Sequence, residues 1–195
     1  MFCLDGNLKL IHIDVQYVKA LHDVCGEVFY SSKHYDNKPY LGILVSNENG
    51  RKYVIPLTSA KDKHKSWKNV DADRYLIYEE AALSDMGERD IYTVLMDDPT
   101  KVKHILSAIE IKKMIPIRDD VYSVVNINVL PTDSDCEKKY KDLLNKEYSF
   151  CIKIIAQLIE KANKIYSKQM ETGKILKFGC DFEALETVCD TYIKK

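Results

Sequence analysis

The chain is predicted to fold as an α+β protein, an antiparallel sheet followed by helices. Three observations lead there. Short apolar runs separated by turn residues fill most of residues 8–130. From residue 134 onward the apolar residues recur at helical spacing instead. Strands and helices do not alternate regularly, as a parallel sheet with crossover helices would require.

In chain order, residues 8–13 form a short apolar strand. Asp14 can cap a helix that carries Val15, Val18, Leu21, His22 and Cys25 on one face, and Gly26 ends it. Residues 29–39 read as a polar and aromatic loop. Residues 40–45 and 51–57 make a hairpin across Asn47, Glu48, Asn49 and Gly50, because Asn-Gly between apolar runs favours a tight turn. Pro56 has no N–H for a ladder, so it is expected at a strand end, an edge or a bulge, with the residues after it leaving the sheet. Residues 74–78 are a further strand, and the mixed signals of 79–100 predict an inserted loop with room for a short helix. Residues 104–117 hold one or two strands, and the valine-rich stretch 121–130 is the last. Ser134 and Glu137 match a capping box. Beyond them Tyr140, Leu144, Cys151, Leu158 and Ala162 mark one long amphipathic helix that ends before Gly173. Asp181 can cap a final helix that turns Phe182, Leu185, Val188, Cys189 and Tyr192 inward. Together these elements form a single domain over 1–195, with a sheet core to about 131 and a helical part from about 132.

The opening residues carry Asp5 and Lys9 and no long apolar run, unlike a secretion signal. No stretch reaches the roughly 20 apolar residues of a membrane span, so a cytoplasmic protein is expected. The six cysteines form no CxxC or CxxH pair, and the five histidines show no ligand spacing, so no metal site or cofactor is expected. Cys136 and Cys151 fall within the helical pattern, where cysteine is a small core residue. Net charge is −1, but its distribution is uneven. Arg51, Lys52, Lys61, Lys63, Lys65 and Lys68 form a basic block, and an acidic one follows over 71–98. Such asymmetry can concentrate positive field at one place on a neutral protein.

Glycine-rich phosphate loops, dinucleotide fingerprints, HExxH and GxSxG are all absent, which removes support for nucleotide hydrolysis, hydride transfer and zinc hydrolysis. What remains is the stretch from Thr58, Ser59, Ala60 and Lys61 to Asp62, Lys63, His64 and Lys65. Its hydroxyls and ammonium groups suit a phosphodiester, whose oxygens they can bind and whose developing charge lysine can stabilise. The same residues also suit a solvated turn. His64, with an intrinsic pKa near neutrality, is a candidate acid or base as well as a candidate surface residue.

The motifs Lys38-Pro39-Tyr40-Leu41-Gly42-Ile43, then Tyr53-Val54-Ile55-Pro56-Leu57-Thr58-Ser59-Ala60-Lys61, then Met114-Ile115-Pro116-Ile117, resemble in order and spacing the ToxN/AbiQ family, the toxin endoribonucleases of type III toxin–antitoxin systems. The resemblance spans nearly the whole chain. It implies a compact, highly twisted, barrel-like antiparallel sheet surrounded by helices. It implies cleavage of single-stranded RNA at preferred sequences without a metal, leaving a 2′,3′-cyclic phosphate. It also implies inhibition by a pseudoknotted antitoxin RNA in a closed RNA–protein oligomer, with no protein antitoxin, and a role in phage defence by abortive infection. Thr58, Ser59 and Lys61 match the family's Thr-Ser-x-Lys motif, Lys38 the lysine before the first core strand, and Tyr17 a tyrosine on the first helix. Tyr35 matches a second tyrosine, with a spacing one residue shorter, and Ala60 stands where proline is common.

The resemblance thus implies catalytic roles for Ser59, Thr58, Lys61, Lys38, Tyr17 and Tyr35, and the basic stretch adds Lys63, His64, Lys65 and Arg51 as candidate RNA contacts. Ser59 and Thr58 would position the phosphate while the RNA's 2′-hydroxyl attacks. Lys38 and Lys61 would supply charge, one of them a candidate base with its pKa lowered by the other. Tyr17 and Tyr35 would donate to the phosphate or stack on a base. Two other readings stay open: an RNA-binding module without catalysis, and an interaction domain docking through the long helix.

Overall fold

The computed structural model describes residues 1–4, 7–30, 40–47 and 49–194. Strand β1 (Leu10–Ile13) leads into helix α1 (Val15–Val24), and Asp14 Oδ1 caps it by accepting from the N–H groups of Gln16 and Tyr17. Strands β2 (Tyr40–Ser46) and β3 (Lys52–Ser59) form the hairpin, with Gly50 at φ 75° in its turn. There follow β4 (Val70–Asp71), β5 (Arg74–Ala82), β6 (Ile91–Val94), β7 (Lys101–Glu110), β8 (Ile115–Ile117) and β9 (Tyr122–Val124). Helix α2 (Asp135–Thr172) opens on the capping box: Glu137 N–H donates to Ser134 Oγ and Ser134 N–H to Glu137 Oε2. It closes on Gly173 in the left-handed region. Asp181 caps α3 (Phe182–Thr191).

The strands form one antiparallel sheet in the order β4-β5-β7-β3-β2-β1-β9, with β6 added to β7 and β8 to β3. Among the described residues the path is open, with β4 and β9 at its ends, so the expected barrel-like closure is not seen. The main core draws on sheet and helices together: Ile43, Tyr53, Ile55, Tyr75, Ile77 and Ile109 pack with Tyr17, Leu21, Leu144, Cys151, Leu158, Phe182 and Leu185. A second, smaller cluster holds Leu76, Ile105 and Ala108, with Ala60, Trp67, Tyr78 and Ile91 against it.

Other expectations change as well. Residues 79–100 are not mainly loop. Strand β5 runs on through Ala82 against β7, a 3-10 turn covers Leu83–Asp85, and β6 returns along the other side of β7. The last strand is only Tyr122–Val124, opposite Ile13, His12 and Ile11 of the short β1, with one further bond from Val125 N–H to Leu10 O at 2.9 Å before the chain leaves the sheet. Beyond it Val129 and Leu130 are exposed despite their β propensity. Cys136 is exposed rather than in the core.

The strand β3 also outlasts Pro56. Pro56 faces Gly42 of β2. On its other side β3 pairs with β8 through Val54 and with β7 from Leu57, so Ile55 and Pro56 lie in the gap between two partners. A residue without an N–H is tolerated in that gap. Thr58 and Ser59 therefore remain in the sheet, opposite Ala108 and Ser107.

Candidate active site

The site is built where β7 changes partner. Its edge serves β3 at residues 107–109 and β6 at 102–105. Ala60 N–H makes one more bond to Leu106 O at 3.3 Å. The next place along β7 is occupied by Ile91 of β6 opposite Ile105, so the chain must leave the sheet. It does so at Lys61 and enters a 3-10 turn over Asp62–Ser66. The hydroxyl-bearing end of a strand and the basic turn are thus delivered to one spot.

Strand alternation divides the motif. Neighbouring side chains on a strand point to opposite faces. Ser59 shares a face with Ser107, directly opposite it, while Thr58 shares the other face with Ala108. Lys61 keeps an extended backbone, at φ −142° and ψ 158°, which carries the alternation on and sets it on the Ser59 side. Ala60 packs into the small cluster on the Thr58 side. The two adjacent hydroxyls therefore do not converge on one point. Ser59 is exposed and Thr58 half-buried.

His64 is fully buried, contrary to a surface RNA contact. Its Nδ1 accepts from Lys61 N–H at 3.1 Å, and its ring lies 4.5 Å from that of Trp67. Burial, helped by Lys63, Lys61 and Arg74, pushes its pKa down to about 4. It is neutral at pH 7 and pins the turn that presents Lys61. Trp67 is half-buried, with the Arg74 guanidinium 4.2 Å and Lys63 Nζ 5.1 Å from its ring centre. Lys65 is paired with Asp62 at 3.0 Å. Lys61 is exposed and has no carboxylate partner among the described residues.

The remaining expected residues lie elsewhere. Arg51 sits eight residues back along β3, roughly 26 Å from Ser59. Its guanidinium donates to both oxygens of Asp190, at 2.8 and 3.0 Å, and so ties the hairpin to α3. Tyr17 is buried, and its hydroxyl donates to Pro116 O at 2.9 Å. Pro116 stands opposite Tyr53, six residues from Ser59, so the Tyr17 hydroxyl is held in the core. Burial raises its pKa. Lys38 and Tyr35 lie outside the described residues. The first residues described after them are those of β2, whose Leu41 pairs with Leu57 at the Ser59 end of β3.

Two buried groups escaped sequence reasoning: Ser107, opposite Ser59, and Glu147, beside Ser107. Ser107 is buried, and its Oγ has no hydrogen-bond partner among the described residues. Glu147 of α2 is also buried, at 4 % exposure, and its carboxyl is pushed up to about 7 by burial, with the neighbouring Ser107 hydroxyl pulling the other way. The signal for Glu147 was present: it falls between Leu144 and Cys151, at positions where the helical spacing calls for an apolar side chain.

Residues 9–190 match the family model for the toxin ToxN of type III toxin–antitoxin systems. The endoribonuclease ToxN of Bacillus thuringiensis subsp. kurstaki is 25% identical over 194 residues, covering 95% of this chain and 84% of that protein. Three solved structures share the fold. One is from a bacterial antiviral system regulated by a processed non-coding RNA (22% identity, TM-score 0.69, 95% of this chain and 99% of that one). Another is from a type III system whose toxin is selectively inhibited by a non-coding RNA pseudoknot (21%, 0.67, 95% and 97%). The third is AbiQ, a lactococcal anti-phage endoribonuclease (20%, 0.64, 95% and 97%).

Proposed function

This chain belongs to the ToxN family of type III toxin–antitoxin toxins, and on that premise we propose that it is a metal-independent endoribonuclease acting at the Ser59 end of β3. The observation that carries the reading is the exposed Ser59 hydroxyl beside Ser107, at the point where the chain turns out to Lys61, a cation without a carboxylate partner among the described residues. A phosphodiester needs that combination of a hydroxyl donor and uncompensated positive charge, and it does not need a metal.

The RNA's 2′-hydroxyl oxygen attacks the adjacent phosphorus in line. The bond from phosphorus to the 5′-oxygen breaks, leaving a 2′,3′-cyclic phosphate and a 5′-hydroxyl. The base that takes the 2′ proton is drawn from Lys38 and Lys61, and a second group returns a proton to the departing 5′-oxygen. Lys61 holds the charge building on the phosphoryl oxygens, and Ser59 donates to one of them without becoming a nucleophile. Thr58 lies on the opposite face, where with Trp67, Lys63 and Lys68 it borders the path of the RNA strand. Tyr35 belongs to the same proposal as a donor or stacking group. The buried Tyr17 and His64 shape the scaffold and take no proton.

The inhibitor in this reading is a pseudoknotted RNA, bound in a closed RNA–protein oligomer, with no protein antitoxin. The AbiQ and antiviral-system relatives support a role in phage defence by abortive infection. Among the described residues no helix is long and apolar enough to cross a membrane. The test is incubation of the purified protein with single-stranded RNA in EDTA. Cleavage to products ending in cyclic phosphate is expected, and strict dependence on magnesium would overturn the mechanism. If S59A binds RNA as wild type does, and wild type cuts nothing and is harmless when expressed alone, the chain is a binding module.

A further inference from the structure

The buried carboxyl of Glu147 has no assigned task, and three observations describe its situation. It is enclosed, at 4 % exposure, with no ion-pair partner among the described residues. The polar group beside it is Ser107, whose buried Oγ has no hydrogen-bond partner among the described residues. Ser107 stands directly opposite Ser59 on the same face of the sheet, and side chains so placed have Cβ atoms about 5 Å apart. A buried acid, an unpartnered buried hydroxyl and an exposed hydroxyl thus form a line from the core to the candidate site. Stability alone favours an apolar residue at the Glu147 position, because a buried unpaired carboxyl is costly.

We propose that Glu147 is a positioning residue for the Ser59 site: its neutral carboxyl donates to Ser107 Oγ, and the Ser107 hydroxyl in turn donates to Ser59 Oγ, aiming the Ser59 proton at the phosphodiester. This rests on the reading of the Ser59 end as the active site. Ionised, the carboxylate accepts from Ser107 instead, which reverses the chain of donors. It also places a negative charge behind a site that binds a phosphate. The active form is therefore the protonated one.

The surroundings are consistent with such a switch. The groups of α2 that share its field are Tyr140 and Cys151, both raised in part by the Glu147 charge. The neighbouring Lys146 is engaged by Glu79 at 3.0 Å and Asp142 at 3.5 Å. From the sheet, the group of β7 that acts on it among the described residues is the uncharged Ser107. Burial keeps the carboxyl neutral up to about pH 7, within the range where an intracellular enzyme works.

The experiment is single-turnover cleavage of one RNA oligonucleotide in EDTA from pH 6 to 8.5, by wild type, E147Q, S107A and S59A. The amide of E147Q donates at every pH. The rate ratio of E147Q to wild type should therefore rise by about ten-fold or more across the range, starting near unity. S107A interrupts the relay while leaving the fold's volume almost unchanged. It should cleave more slowly than wild type and lose the limb that E147Q loses. A flat E147Q ratio, or S107A with the rate and profile of wild type, overturns the proposal. The site reading fails separately: if S59A cleaves as wild type does, the active site is elsewhere, whatever Glu147 does.

Discussion

The two ends of β3 carry similar residues and have opposite fates. At the start of the strand Arg51 is held by Asp190 and Glu186, Lys52 pairs with Asp119, and the Tyr53 hydroxyl donates to Glu186 Oε1 at 2.6 Å. Each polar group there has a partner, mostly from α3 or the segment after β8. At the far end Ser59 is exposed and Lys61 has no carboxylate partner among the described residues. The basic block of the sequence is therefore two structures. One is a closed clamp that joins the hairpin to α3, and the other is an open site. What separates them is compensation, since a cation already neutralised has little field left for a phosphate.

The strongest way to break this comparison is S59A. Loss of a donor to the reacting phosphate should lower single-turnover cleavage by about 100-fold with the melting temperature unchanged. A loss below about three-fold would remove Ser59 from the chemistry.

The buried acid at the open end gives the next largest effect. The folded pKa of Glu147 is raised from 4.5 to about 7, so its stabilising contribution is fully present below 4.5 and is lost as pH rises through 7. The difference is about 3 kcal/mol. Urea denaturation should show the stability of E147Q relative to wild type increasing by that order between pH 4.5 and 8. Parallel curves would mean the carboxyl is not perturbed.

The middle of the strand holds both ends in register. Gly42 faces Pro56, and a Cβ there would come within 2.3 Å of Val54 Cγ2 and 2.7 Å of Ile55 O. G42A should cost about 2 kcal/mol in urea denaturation, because the β2–β3 spacing must open to admit the methyl. An unchanged midpoint would mean the two strands are less closely held than the structure shows. The smallest effect belongs to the clamp: R51A should cost about 1 kcal/mol, its partner Asp190 being largely exposed, and leave cleavage within about two-fold.

Much of this fold could be read in the residues. Asp14, Ser134 and Asp181 each cap the helix expected of them, and Gly173 ends the long one. Those are local signals, complete within a few residues. The outer half of β5 and the four-residue β6 were hidden because Glu79 and Glu80 break the apolar pattern of β5, β6 is short, and only the pairing with β7 makes both of them strands. The active-site motif was legible as a hydroxyl and lysine cluster. Its division between two faces was not, since that depends on β3 continuing past Pro56. Arg51 and Lys61 look alike in sequence, and only the arrival of Asp190 beside Arg51 distinguishes them. Ser107 lies far from Ser59 in the chain and becomes its neighbour solely through strand register.

Cleavage of one single-stranded RNA in EDTA by wild type, S59A and R51A, with product ends identified by mass, tests the central claim most directly. Wild type and R51A are expected to cut alike to cyclic phosphate ends, and S59A to cut about 100-fold more slowly. Equal loss in S59A and R51A, or unimpaired cutting by S59A, would contradict it.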